Sequence, residues 1–318
     1  MLSVGTAEAA PGTMATGRLT VGEDRLGQEL GLPVAVLNGA HEGKRLYLQA
    51  ASDGDELNGV GVLARLLPRL DASAFSGELV CVGVVNAFGF QAGTHRNPID
   101  DTKVNRTYPG KAEGSSSERL AATTFEVAKQ ADLILDLHQG STSRMIGECR
   151  VRCGVNHRLH DRCSELAKAF DTGFVLDRKG PEGQLARVAP DEGIPTVDPE
   201  LGGSVGWDEA SIQLGIEGVM NVLGYYDFLE RSVSPGTQRR AHRFEQYGAP
   251  RGGLVEFTAP LGEEVSVGTP LFDIVSVFGE RKARVTAEQS GILWRARRRP
   301  QVATGEYVCT LGTDLDTY

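Results

Sequence analysis

Two short runs, Leu79-Val80-Cys81-Val82-Gly83-Val84-Val85 and Leu133-Ile134-Leu135-Asp136-Leu137-His138, are apolar at most positions instead of at every second one. A strand of that kind has no face to give to water, so it belongs inside a sheet covered on both sides. The sequence between and beyond these runs offers the cover. Leu57 to Leu67 carries apolar residues at near-helical spacing and stops before Pro68. Ser115 and Glu118 have the spacing of a reciprocal capping box, opening a helix to about Gln130 with Ala121, Thr124, Phe125 and Ala128 on one side. Further helices are expected from about Leu159 to Phe170 and from Asp208 to about Glu230, with strands near Phe174–Leu176 and Pro195–Val197. A strand layer from Gly17 to Gly39, continued over Arg45–Ala50, opens the chain. The alternation implies an α/β fold: a mixed sheet with substantial parallel pairing and helices on both faces.

The pattern changes near the C-terminus. Ser232 to Arg251 mixes Pro, Gly and several arginines without apolar periodicity and reads as a boundary, dividing the chain into an α/β domain over 1–240 and a second domain over 250–318. Beyond it, short alternating segments such as Leu254–Phe257, Leu271–Ile274 and Gly291–Trp294 are separated by Gly and Pro turns. That is the pattern of a small all-β sandwich or barrel.

Lys and Arg number 33 against 42 Asp and Glu, a net charge of −9 over 318 residues. Such a chain is a poor general surface for nucleic acid or acidic membrane, and a small-molecule partner is expected. The basic cluster Arg295–Arg299 then reads as a solvated loop. No apolar run approaches the roughly 20 residues of a bilayer span, and the start has no secretory pattern. Five cysteines without paired spacing suit a reducing compartment, so a cytoplasmic location is expected. A homo-oligomer is the expected assembly.

In open α/β sheets ligands collect at the carboxyl ends of strands. The residues that follow the expected strands there are Asp53 and Glu56, then Asn86, Arg96, Asn105 and Arg106, then His138, and finally Glu200. Asp53 and Glu56 sit three apart on a tight turn entering a helix, and together their carboxylates repel unless a cation joins them. His138 supplies a third ligand from a strand end and leaves a coordination position for water. Singly, Asp53-x-x-Glu56 is also a helix-capping turn and His138 also a structural histidine; the combination carries the reading. Asp136, two residues before His138, is placed to orient a ligand or to pair with an arginine.

Four ordered motifs carry a resemblance: Asp53-Gly54-Asp55-Glu56-Leu57-Asn58-Gly59, Asn105-Arg106-Thr107-Tyr108-Pro109-Gly110, Asp136-Leu137-His138-Gln139-Gly140, and Gly193 to Gly203 with Pro199-Glu200-Leu201-Gly202 within it. The chain resembles the succinylglutamate desuccinylase/aspartoacylase family, zinc-dependent deacylases with a carboxypeptidase-like α/β domain, from about Gly17 to the C-terminus. The resemblance implies a metal-dependent hydrolase that cleaves the amide of a small N-acylated amino acid or related carboxylate. It makes Glu56 and His138 zinc ligands and Glu200 the general base. Arg96, Asn105 and Arg106 are implied to polarise the scissile carbonyl, stabilise the oxyanion or grip a substrate carboxylate.

One position departs from the family. Its first ligand is normally histidine, in the pattern His-Gly-Asp-Glu, and here that position is Asp53. A site of two carboxylates and one imidazole still binds Zn²⁺, but its net charge falls, its bound water is less acidic, and preference moves toward Mn²⁺ or Fe²⁺. Two alternatives follow: a relative that binds a small carboxylate or supports a partner without hydrolysis, and a Mn- or Fe-dependent enzyme of another reaction type. His41, in a polar turn, is not expected to replace the missing ligand. Cys149, Cys153 and Cys163 with His157 and His160 match no tetrahedral zinc spacing, and Gly202-Gly203 lacks the lysine of a phosphate loop.

Overall fold

A computed structural model describes residues 1–318. The two apolar runs lie where their composition requires. Ser76–Val82, His41–Ala50, Leu133–Leu137 and Thr196–Glu200 are successive parallel neighbours in the middle of a thirteen-stranded sheet. Alternate residues of each strand enter different cores. Leu46, Leu48, Leu133, Leu135 and Leu137 pack with Val62 and Leu66 of the helix Asn58–Leu66, Phe170 of His160–Phe170, and Ile216 and Val219 of Glu209–Tyr225. Tyr47, Ile134, Val80 and Val82 face the other way, toward Leu120, Ala121 and Phe125 of the helix Ser116–Ala128. Each fully buried side chain of this size contributes about 1.5–3 kcal/mol through removal from water. The capping box at Ser115 and Glu118 is formed.

The N-terminal strand layer is a hairpin, Thr13–Glu23 against Glu29–Asn38, that continues the sheet antiparallel beyond Ser76–Val82. On the other side Thr196–Glu200 pairs antiparallel with Glu148–Val151, a strand absent from the sequence reading. Because that strand runs the opposite way, its amino end shares an edge with the carboxyl ends of the central strands, and Glu148 stands opposite Glu200.

The polar segment read as a boundary carries the strand Arg239–Gly248, which pairs in parallel with Phe174–Asp177 and antiparallel with Tyr307–Thr317. The sheet therefore runs without interruption into Gly291–Arg297. A four-stranded sheet containing Gly253–Phe257 and Pro270–Val275 closes over this end, with Phe272, Ile274, Leu293 and Leu311 between the layers. The fold is thus mixed α/β with a C-terminal antiparallel β region. The last helix ends at Tyr225, short of Glu230, because Asp227 adopts a left-handed backbone (φ 65°) and turns Phe228 onto Phe75. No helix is long and apolar enough to cross a membrane.

Candidate active site

The carboxyl ends of the central strands open into a polar cavity of about 200 Å³ with a single hydrophobic residue in its lining, Met145. Asp53, Glu56, Asn105, Arg106, His138 and Glu200 all line it. Their convergence has local causes. After the His41–Ala50 strand, Ala51 takes a left-handed conformation (φ 51°) and throws the chain into the Asp53–Glu56 turn. Gly54 is required there: a Cβ would meet the Gly89 carbonyl carbon at 2.3 Å, so the turn packs directly on the backbone of the helix Ala87–Ala92. Asn86 caps that helix by accepting from the Gly89 amide.

His138 follows the Leu133–Leu137 strand and remains in a parallel bridge with Glu200, which sets the two residues side by side. Its Nδ1 lies 2.9 Å from Glu56 Oε2 and 3.9 Å from Asp53 Oδ2. Its Nε2 lies 3.1 Å from Asp136 Oδ2 and 2.9 Å from Asn105 Nδ2. Asn105 is itself fixed, accepting from the Leu185 amide. A carboxylate behind one ring nitrogen, with the other turned to two acids, is the arrangement that aims an imidazole at a cation. Asp53, Glu56 and His138 are each 5% exposed or less.

The charge here is unbalanced toward acid. Burial raises Glu56 to about 7, aided by Asp53 and opposed by the hydrogen bond from His138. Burial opposes charge on His138, yet Asp136 and Glu56 overcome it and hold the imidazole protonated well above its usual range. Lys103 Nζ lies 3.6 Å from Asp53 Oδ2, while Asp53 Oδ1 is buried with no hydrogen-bond partner. An orphaned buried carboxylate oxygen beside Glu56 and an imidazole fits a divalent cation, and oxygen and nitrogen donors of this kind suit zinc as well as Mn²⁺ or Fe²⁺.

Glu200 accepts from Arg150 Nη1 through Oε1, while its Oε2 is buried without a partner. Burial lifts its carboxyl above the ordinary value, with Arg150 opposing. Arg150 also grips Glu148, which receives Trp294 Nε1 and Arg295 as well. There burial would raise Glu148, but Arg150 and Arg295 hold it below its usual value. The C-terminal β region therefore supplies part of the wall, Arg295 lying opposite Met145 where Ser143–Met145 pairs with Gly291–Arg297.

Arg106 stands at the cavity, its guanidinium bonded to the Asn105 carbonyl and free of any carboxylate. Arg96 does not join the site. It is exposed, donates to the Asp101 carbonyl at 2.6 Å, and is absent from the cavity wall. Its neighbour His95 lines the cavity instead, its ring held by Asp55. The oxyanion and substrate roles expected of Arg96 therefore do not match its position. Arg150 and His95 are the residues that the sequence reading missed. His41 begins its strand exposed, far from the role of a ligand, and His157 and His160 pair with Asp191 and Asp177.

Residues 42–226 match the succinylglutamate desuccinylase/aspartoacylase catalytic domain. The chain is 26% identical over 303 residues to N-α-acetyl-L-2,4-diaminobutyric acid deacetylase of Halomonas elongata, covering 90% of this chain and 86% of the relative. Among solved structures, a succinylglutamate desuccinylase from Silicibacter sp. TM1040 superposes with a TM-score of 0.82 at 23% identity, over 94% of each chain. The product-bound ectoine utilization protein EutE (DoeB) from Ruegeria pomeroyi gives 0.81 at 22% identity, over 96% of each.

Proposed function

Since the chain belongs to the succinylglutamate desuccinylase/aspartoacylase family, we propose that it is a metal-dependent deacylase acting on a small N-acyl amino acid. The observation that carries this reading is the pairing, in one polar cavity, of the buried Asp53–Glu56–His138 cluster with a Glu200 whose Oε2 has no partner. The N-acetylated diamino acid named for the Halomonas relative falls within the proposed substrate class.

Asp53, Glu56 and His138 are the residues to hold the cation, zinc by family precedent. When bound, a divalent cation polarises a carbonyl and lowers the pKa of a nearby water. Asp136 keeps His138 oriented through Nε2. Glu200, raised by burial and held in place by Arg150, takes the proton of the attacking water at Oε2 and delivers it to the departing nitrogen. Water adds to the acyl carbon, the C–N bond breaks, and a carboxylate and an amine leave. Arg106, with no acid of its own, clamps the substrate carboxylate. Five free cysteines support a reducing, cytoplasmic setting.

Amine release from a panel of N-acetylated amino acids, measured with zinc, manganese or iron supplied, tests the reading. Glu200→Gln is expected to lose roughly 10²–10⁴-fold in kcat, the range for a general base, with its metal content retained. Lys103 beside Asp53 favours a second reading, a cation-free carboxylate-binding protein in which the ammonium replaces the metal charge. Absence of amine release with every metal, together with binding of the N-acyl amino acid by metal-free protein, would select it.

A further inference from the structure

We propose that His95 is a metal ligand of this chain, restoring from a different loop the imidazole that Asp53 displaces. The inference rests on the metal-dependent reading above and adds a residue to it. Asp53, Glu56 and His95 each offer a ligand atom, and these atoms lie within 4.8 Å of one another. The orientation of the His95 ring is specific. Its Nδ1 meets Asp55 Oδ1 at 2.9 Å, which turns Nε2 toward Asp53 Oδ1 at 3.5 Å. That oxygen belongs to a residue only 4% exposed and is the one left without a hydrogen-bond partner. A carboxylate behind an imidazole whose far nitrogen faces a buried orphan acid is the support that metal-bound histidines receive.

The backbone explains how this residue arrives. The helix Ala87–Ala92 ends at Gly93 in a left-handed conformation (φ 65°), reversing the chain toward the Asp53–Glu56 turn. The Gly54 amide then donates to the His95 carbonyl at 3.2 Å, tying the two loops together beside the acids. Asp55 is thus a positioning residue, Asp53 and Glu56 are oxygen ligands, and His95 joins His138 as the second nitrogen ligand. Lys103 approaches Oδ2 of Asp53, the oxygen other than the one that His95 Nε2 faces.

X-ray absorption of the zinc-loaded full-length protein counts bound imidazoles directly, and zinc titration of the metal-free protein measures affinity. The expected result is two imidazoles per zinc in the wild type and one in His95→Ala. That variant should bind zinc more than 100-fold more weakly while its metal-free circular dichroism stays unchanged. Asp55→Asn should weaken zinc by about 10–100-fold, the usual cost of an outer-shell partner. If His95→Ala fails to fold, the wild-type count alone decides: two imidazoles sustain the assignment and one overturns it. Zinc held by the wild type through one imidazole, with affinity unchanged in His95→Ala, overturns the His95 assignment and leaves the deacylase reading standing. A wild type that takes up no zinc, manganese or iron overturns both.

Discussion

Two groups of acids, lining one cavity or bonded to residues that do, are neutralised in different ways. Glu148, Asp198 and Glu200 face the guanidiniums of Arg150, Arg152 and Arg295, which cannot lose their protons. Asp53, Asp55, Glu56 and Asp136 face two imidazoles and one ammonium, and still leave Asp53 Oδ1 without a hydrogen bond. Imidazoles give up protons readily and then coordinate metals. The first group is a permanent scaffold that holds Glu200 in position, whereas the second, on the proposed reading, exchanges protons for a cation.

Truncating the two groups should therefore break different properties. Glu56→Ala and His138→Ala are expected to reduce zinc affinity by more than the roughly 10–100-fold cost of an outer-shell loss, while unfolding of the metal-free protein by urea changes little by comparison. Arg150→Met should do the reverse. It removes the only guanidinium paired with buried Glu200 and one of the two on Glu148, at a cost of about 3–5 kcal/mol in urea unfolding, because breaking one side of a buried pair leaves the other uncompensated. A destabilisation by Glu56→Ala as large as that by Arg150→Met would erase the distinction.

Smaller effects sharpen it. Arg106→Met is expected to raise KM about tenfold, the scale of one lost charged hydrogen bond, with the unfolding midpoint nearly unchanged, since that guanidinium supports no acid. The surface provides the least effect. Glu209, hydrogen-bonded by Arg65 and Trp207, is lowered from 4.5 to about 2. A depressed carboxylate contributes stability that is present above its unfolded value and is lost as pH falls through its folded one. Arg65→Ala should therefore slightly flatten the acid limb of thermal stability between about pH 4.5 and 2, a change read by scanning calorimetry and kept small by solvent screening.

How far the chain can be read without coordinates depends on strand direction. Asp53, Glu56, His138 and Glu200 all follow strands whose apolar runs are visible, and position after a strand end was enough to assemble them. Glu148 and Arg150 belong to a four-residue strand, Glu-Cys-Arg-Val, whose alternation is too short to see and whose amino end reaches the same edge. A rule about carboxyl ends is blind to it. His95 and Arg96 differ by one residue in a loop without periodicity, so only coordinates reveal which faces inward. Arg239–Gly248 was hidden because its charged residues face outward or pair across the sheet, leaving only Ala241 and Tyr247 buried. The helices were legible because capping and a single apolar face act locally.

The central claim is that the Asp53 group seats a cation. Dialysis of the metal-free full-length protein against zinc, followed by elemental analysis, tests it most directly. One zinc per chain is expected, retained in Arg106→Met and lost in Glu56→Ala. A wild-type protein that returns from dialysis with none, or holds zinc equally well without Glu56, would contradict it.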